Sequence, residues 1–149
     1  MKIGIANDHT AVEMKKEVTA YLESLGHEVI NFGTDSTEST DYPIWGEKVA
    51  NAVASGEVEK GIAICGTGLG MAMCANKFPG IRAGVCHDSF SGERLALSNN
   101  GNVICFGERV IGVKLAEKIL GEWLELEFVD GSSTPKVEAI KNIEKKTMK

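Results

Sequence analysis

A cysteine followed at once by alternating glycines, Cys65-Gly66-Thr67-Gly68-Leu69-Gly70, is the segment of this sequence best suited to chemistry. A free thiol titrates at about 8.5, and a helix N-terminus lowers that value and raises the share of reactive thiolate near neutral pH. A thiolate can abstract a proton alpha to a carbonyl. The glycines leave the backbone open to close approach. Successive N–H groups at a helix start carry partial positive charge and suit a phosphate or an enediolate. The spacing is neither the Gly-x-Gly-x-x-Gly of a dinucleotide site nor the Gly-Lys-Ser/Thr ending of a P-loop, so nucleotide binding is not expected. From the residues alone, a buried and inert cysteine remains the alternative for Cys65, and it is the reading adopted for Cys74, Cys86 and Cys105.

Asp8 and His9 form a second candidate pair. A carboxylate beside an imidazole can hold sugar hydroxyls and phosphate or shuttle protons. The competing reading is a helix cap at Asp8 with a solvated His9. His27 suits a surface turn, and His87 suits a structural role at a strand end.

These residues must be positioned by the elements around them. Five short apolar runs, Lys2–Ala6, Glu28–Phe32, Gly61–Cys65, Arg82–Cys86 and Val103–Phe106, read as strands. Amphipathic stretches lie between them, the pattern of a parallel sheet covered by helices. Met14, Val18, Tyr21, Leu22 and Leu25 mark one buried helical stripe, ended by Gly26. Pro43 opens a second helix with Trp45, Val49, Ala52 and Val53 on one face, stopped by Gly56. Further helices are expected over Leu69–Asn76 and Ser91–Ser98 and along Leu115, Ile119, Trp123 and Leu126. Val129–Thr134 reads as a linker. A final helix, about 135–148, carries the narrow stripe Val137, Ile140 and Ile143, which suits packing on a partner subunit. The fold class is α/β, a three-layer α/β/α sandwich. If the strand order begins 2-1-3, the loops after the first and third strands, which carry Asp8-His9 and Cys65–Gly70, become neighbours at the carboxyl ends of the strands, where such sheets bind ligands.

Composition narrows the function further. The length of 149 residues suits one domain, 1–149. No apolar run approaches the ~20 residues of a membrane span, and no export signal is readable, so a cytoplasmic location is expected. The four cysteines form no CxxC pair, which argues against a structural metal. A formal net charge of −5 disfavours nucleic acid as a partner, whereas a small anion needs only a few well-placed cations.

The chain resembles the ribose-5-phosphate isomerase B family, which also includes allose-6-phosphate isomerase and galactose-6-phosphate isomerase subunits. The resemblance is carried by Asp8-His9, Asp41-Tyr42-Pro43, Cys65 to Gly70, Ala75-Asn76-Lys77, Gly80 to Ala83, Asn102-Val103 and Gly107 to Gly112, in the family's order along almost the whole chain. It implies a Rossmann-like sandwich with a five-stranded parallel sheet, a homodimer or dimer of dimers with the site at the subunit interface, and no metal or organic cofactor. It also implies that Cys65 takes the C2 proton of an open-chain aldose, that Gly66, Thr67, Gly68, Leu69 and Gly70 hold the enediolate, and that Thr67 moves protons between the C1 and C2 oxygens. Asp8 and Tyr42 then contact the sugar, Asn99 contacts it from the other subunit, and His9 and Arg109 bind phosphate.

Two departures stand out. Where many members carry a ring-opening His, this chain has Ser98, so ring opening falls to Asp8, His9 or a water held by Ser98. Where members place two arginines in a C-terminal phosphate clamp, it has Ser132 and Lys136. The expected reaction is interconversion of ribose 5-phosphate and ribulose 5-phosphate. Allose 6-phosphate or another hexose phosphate is the alternative substrate, and a noncatalytic phosphate-ligand-binding protein is the alternative of another class.

Overall fold

The computed structural model describes residues 1–148. Its sheet contains β1 (Lys2–Asn7), β2 (Glu28–Asn31), β3 (Lys60–Cys65), β4 (Ala83–Val85) and β5 (Val103–Gly107). The order is β2-β1-β3-β5-β4, and every pairing is parallel. The expected start 2-1-3 is present, and β1, β3 and β5 occupy the centre of the sheet.

The helices are α1 (Val12–Ser24), α2 (Tyr42–Ala54), α3 (Leu69–Ala75), α4 (Ser89–Leu97), α5 (Val113–Trp123) and α6 (Thr134–Thr147). Strand residues alternate between two buried faces, as in a sheet covered on both sides. Ile3, Ile5, Ile62, Ile64, Ile104 and Phe106 pack with α1, α4 and α5. Ala6, Ala63, Cys65, Val103 and Cys105 face α2 and α3, together with Val49, Val53 and Met71. Small residues on this second face bring α2 close to the sheet. A Cβ on Gly61 would meet Val53 at 3.0 Å and Val49 at 3.2 Å.

Several expectations are corrected. Leu25 is exposed because α1 ends at Ser24 and Gly26, at φ 92°, turns the chain away. Leu115 is likewise exposed, and Leu126 packs on the core from beyond the end of α5. Thr134 belongs to α6, where the reading ended the linker. A short 3-10 turn, His9–Ala11, precedes α1; three residues carry no readable periodicity. In α6 only Val137 is buried, while Ile140 and Ile143 remain exposed.

Trp123 is fully buried at the end of α5, and the Lys60 ammonium lies 4.6 Å from the centre of its ring. Trp123→Ala should therefore lower the unfolding free energy by about 3–5 kcal/mol in urea titration. A loss under about 1 kcal/mol would contradict this assignment of the core.

Candidate active site

Parallel pairing of β1 with β3 aligns Asn7 with Ile64, so the two strands end side by side. The Asp8 N–H donates to the Ile64 carbonyl at 3.3 Å and ties the following loops together. Asn7 is fully buried and donates from Nδ2 to the carbonyls of Asp8 at 2.9 Å and Thr34 at 3.0 Å. This side chain fixes the start of the β1 loop against the β2 loop. Asp8 is itself buried, and its Oδ1 accepts from Thr10 N at 3.0 Å and Thr10 Oγ1 at 2.6 Å. Asp8 thus caps the 3-10 turn, as the structural reading expected, yet it also lines the depression beside Cys65. One carboxylate oxygen shapes the turn, and no hydrogen bond to Oδ2 occurs among the described residues.

Cys65 is the last residue of β3 and is 5% exposed. It is neither sealed in the core nor free in solvent. The residue lines an open depression of about 370 Å³, and its sulfur accepts the Gly68 N–H at 3.2 Å. An amide dipole aimed at sulfur has the polarity that a thiolate base requires. The N–H groups of Gly66 and Thr67 have no acceptor among the described residues. Thr67 Oγ1 accepts from Leu69 N at 3.3 Å at the entry to α3.

The glycines of this loop answer to the chain itself more than was expected. Gly68 has φ 82°, and a Cβ there would lie 2.9 Å from the Phe106 carbonyl carbon. A Cβ on Gly70 would lie 2.5 Å from the Tyr42 ring. That contact seats Tyr42, the first residue of α2, against the loop. Gly66 faces the Arg109 side chain, whose Cδ would be 3.4 Å from an added Cβ.

Arg109 arrives by a continuation of the sheet ladder. Glu108 N donates to the Cys65 carbonyl at 2.9 Å and Arg109 N to the Gly66 carbonyl at 3.1 Å. Gly107 permits this strap, since a Cβ there would meet Thr67 Cα at 2.6 Å. His87 Nε2 accepts the Gly107 N–H at 2.9 Å, the structural role expected for it. Burial lowers the His87 pKa, a shift opposed by Asp88, and favours the neutral ring that this bond requires. Glu108 accepts the Met14 N–H at 3.0 Å at the start of α1, and burial raises its pKa.

The structure therefore gathers Asp8, Tyr42, Cys65, Gly66, Thr67, Gly70 and Arg109 around one depression. Thr10 and Met73 also line it and were missed. Thr10 was detectable as the residue two beyond an Asp that opens a turn. Met73 lies four residues after Leu69, on the exposed side of α3. His9 stands beside the depression, with Nδ1 accepting from Thr40 N at 3.1 Å. Gly68 is buried beneath the loop, and Leu69 is exposed outside it.

Four expected residues are not brought there within one chain. Ser98 and Asn99 follow α4, and Asn99 lines a separate groove with Arg82, Gly84 and Ile143. Ser132 and Lys136 are exposed near the start of α6. Cys86 and Cys105 are buried as expected, whereas Cys74, on α3, is only half-buried, a correction to the buried reading. Burial pushes Cys86 up to about 11 and also raises Cys74 and Cys105. Among the described residues, no group of three or more His, Cys, Asp or Glu is arranged to hold a metal ion, and no helix is long and apolar enough to cross a membrane.

Residues 3–140 match the model of a family described as Ribose/Galactose Isomerase. The ribose-5-phosphate isomerase B of Escherichia coli is 46% identical over 145 residues, covering 97% of each chain. A D-erythrulose-4-phosphate isomerase of Pectobacterium atrosepticum is 45% identical, covering 94% of this chain and 93% of the relative. The solved structure of Clostridium thermocellum ribose-5-phosphate isomerase B superposes with a TM-score of 0.96 at 49% identity, covering 98% of this chain and 99% of that one. With its five-stranded parallel sheet and the Cys65 loop at the carboxyl ends of the central strands, the chain belongs to the Ribose/Galactose Isomerase family and is a sugar-phosphate isomerase.

Proposed function

We propose that this isomerase interconverts ribose 5-phosphate and ribulose 5-phosphate through an enediolate. The observation that carries the reading is Cys65, which lines the depression and whose sulfur receives the Gly68 N–H. The Cys65 thiolate takes the C2 proton of the open-chain aldose and becomes a thiol. The electron pair moves into the C1–C2 bond, and the carbonyl oxygen gains negative charge. The unpaired amides of Gly66 and Thr67 stabilise that oxygen, the kind of interaction worth about 2.7–4 kcal/mol where a single donor has been removed from an oxyanion site. The Thr67 hydroxyl moves the proton from the C2 hydroxyl toward the C1 oxygen. Cys65 then returns its proton to C1, so base and solvent are left unchanged.

Asp8 and Tyr42 hold the sugar, and Arg109 with His9 binds the phosphate. Remote phosphate binding keeps the reacting carbons against the base. No cofactor enters this scheme. The whole chain serves as one unit, and a second copy completes the site by supplying Asn99, with α6 packed across the interface. Its exposed Ile140 and Ile143 support that docking. Ser98, in place of the ring-opening histidine, leaves ring opening to Asp8, to His9 or to a water held by the serine. Lys136 supplies a point charge to phosphate without the bidentate geometry of arginine.

A second substrate reading has specific support. The altered residues Ser98, Ser132 and Lys136 lie in the substrate-completing segments, and a relative 45% identical is named for a four-carbon sugar phosphate. Chain length is therefore where this protein can depart from a pentose. A steady-state comparison of erythrulose 4-phosphate, ribose 5-phosphate and allose 6-phosphate tests this. The highest kcat/KM is expected for ribose 5-phosphate, and a tenfold preference for either of the others would overturn the pentose assignment.

Two substitutions test the chemistry. Cys65→Ala should lower kcat by about 10²–10⁴-fold with KM nearly unchanged, because the base is lost and the binding groups stay. Undiminished kcat would remove Cys65 from the mechanism. Gly70→Ala should displace the Tyr42 ring and cut kcat/KM by about 10–100-fold while the far-ultraviolet circular dichroism spectrum is retained. Wild-type kinetics in that variant would show that the seating of Tyr42 is irrelevant to turnover.

A further inference from the structure

The connection between β2 and α2 reaches into the site region through a residue that the scheme above leaves unused. Thr40 donates its backbone N–H to His9 Nδ1 at 3.1 Å. A backbone amide can only donate, so the ring nitrogen that faces it must present a lone pair. The ring proton of neutral His9 then sits on Nε2. An imidazolium carries hydrogen on both nitrogens and cannot accept this bond.

Thr40 is itself held. Its Oγ1 accepts the Trp45 indole N–H at 3.2 Å, and the Lys48 ammonium lies 4.8 Å from the centre of the Trp45 ring. Trp45 is partly buried against the core face formed with α2, so the indole is a fixed point. The same connection is anchored at its other end. Buried Lys15 donates to the Thr34 carbonyl at 2.8 Å and pairs with Asp35 at 2.6 Å. Asn7 Nδ2 donates to the same carbonyl at 3.0 Å. Both ends of the segment that carries Thr40 are thus tied to the fold, with His9 clamped between the 3-10 turn and the residue 40 amide.

We infer that Thr40 and Trp45 are positioning residues that lock His9 as a neutral Nε2–H donor toward the substrate. Trp45 fixes Thr40 through the threonine hydroxyl, and Thr40 fixes the tautomer and ring plane of His9 through its amide. No hydrogen bond to His9 Nε2 occurs among the described residues, so its N–H is available to an oxygen of the sugar phosphate. A neutral donor gives direction, while the charge for phosphate comes from Arg109 and Lys136. The inference rests on the reading of His9 as a substrate ligand.

Nitrogen-15 NMR of the wild-type protein near pH 8 tests the clamp directly, together with the kinetics of Trp45→Phe, Thr40→Val and Thr40→Ser. The expected result in wild type is one tautomer with hydrogen on Nε2 and a scalar coupling across the hydrogen bond between the residue 40 amide nitrogen and His9 Nδ1. Trp45→Phe and Thr40→Val each remove one partner of the indole–hydroxyl bond and should weaken that coupling. Both should also raise KM by about fivefold with kcat held within about twofold, the scale of one lost hydrogen bond. Thr40→Ser keeps the hydroxyl and should restore wild-type KM. Hydrogen on Nδ1 in wild type, or unchanged coupling and KM in both variants while His9→Ala raises KM, would overturn the clamp alone. Unchanged KM in His9→Ala would overturn the clamp together with the reading of His9 on which it rests.

Discussion

The site depends on one constraint, the side-by-side ending of three parallel strands. β1, β3 and β5 lie next to one another, and the ladder continues past the strands as Glu108 N to the Cys65 carbonyl and Arg109 N to the Gly66 carbonyl. Those two bonds press the loop after β3 against the end of β5. Gly68 and Gly107 exist to allow that contact, because a side chain at either would collide with backbone. The sulfur, the open amides and the guanidinium are consequences of this single strap. These bonds hold the loop backbone, so the backbone needs little further ordering when substrate arrives.

The second layer of organisation is a set of buried or half-buried polar anchors that are not themselves reactive. Asn7 and Lys15 tie the segment after β2, Glu108 caps the entry to α1, and His87 holds the Gly107 amide. Each satisfies backbone groups that loop geometry would otherwise leave unpaired. Asp8 shapes the 3-10 turn through one carboxylate oxygen and also lines the depression with Cys65. The contrast between Cys65 and its three counterparts follows from the same arrangement. Cys86 and Cys105 are pushed toward the neutral thiol by burial, whereas Cys65 alone ends a central strand at the depression with an amide directed at it.

Much of this was legible in the residues, for identifiable reasons. The central strands β1, β3 and β5, buried on both faces, read as largely apolar runs, and the shorter, partly buried edge strands β2 and β4 still carry Val, Ile or Ala cores; the adjacency of the first and third followed from the chain order usual for such sheets. Helix ends were less legible. Leu25 and Leu115 fit the apolar spacing but lie where α1 turns out and on the exposed side of α5, facts that depend on tertiary position. The glycines were recognised as functional, yet their partners Tyr42 and Phe106 are distant in sequence and no local pattern names them. Thr40 was not recognised for the same reason: a backbone amide meeting an imidazole 31 residues away leaves no local mark in the sequence, and Trp45 was read only as part of a helix face. Ser98, Asn99, Ser132 and Lys136 do not line the depression of a single chain, and spacing along the sequence could not say so.

The central claim is that the Cys65 sulfur carries the proton between carbons, and hydrogen isotope tracing tests it most directly. Ribose 5-phosphate deuterated at C2, incubated in ordinary water, should lose deuterium from C2 with wild-type protein at the rate of turnover. It should keep that label in the Cys65→Ala variant, even with substrate bound. Loss of the C2 label at the wild-type rate in the variant would show that another group takes the proton and would contradict the account.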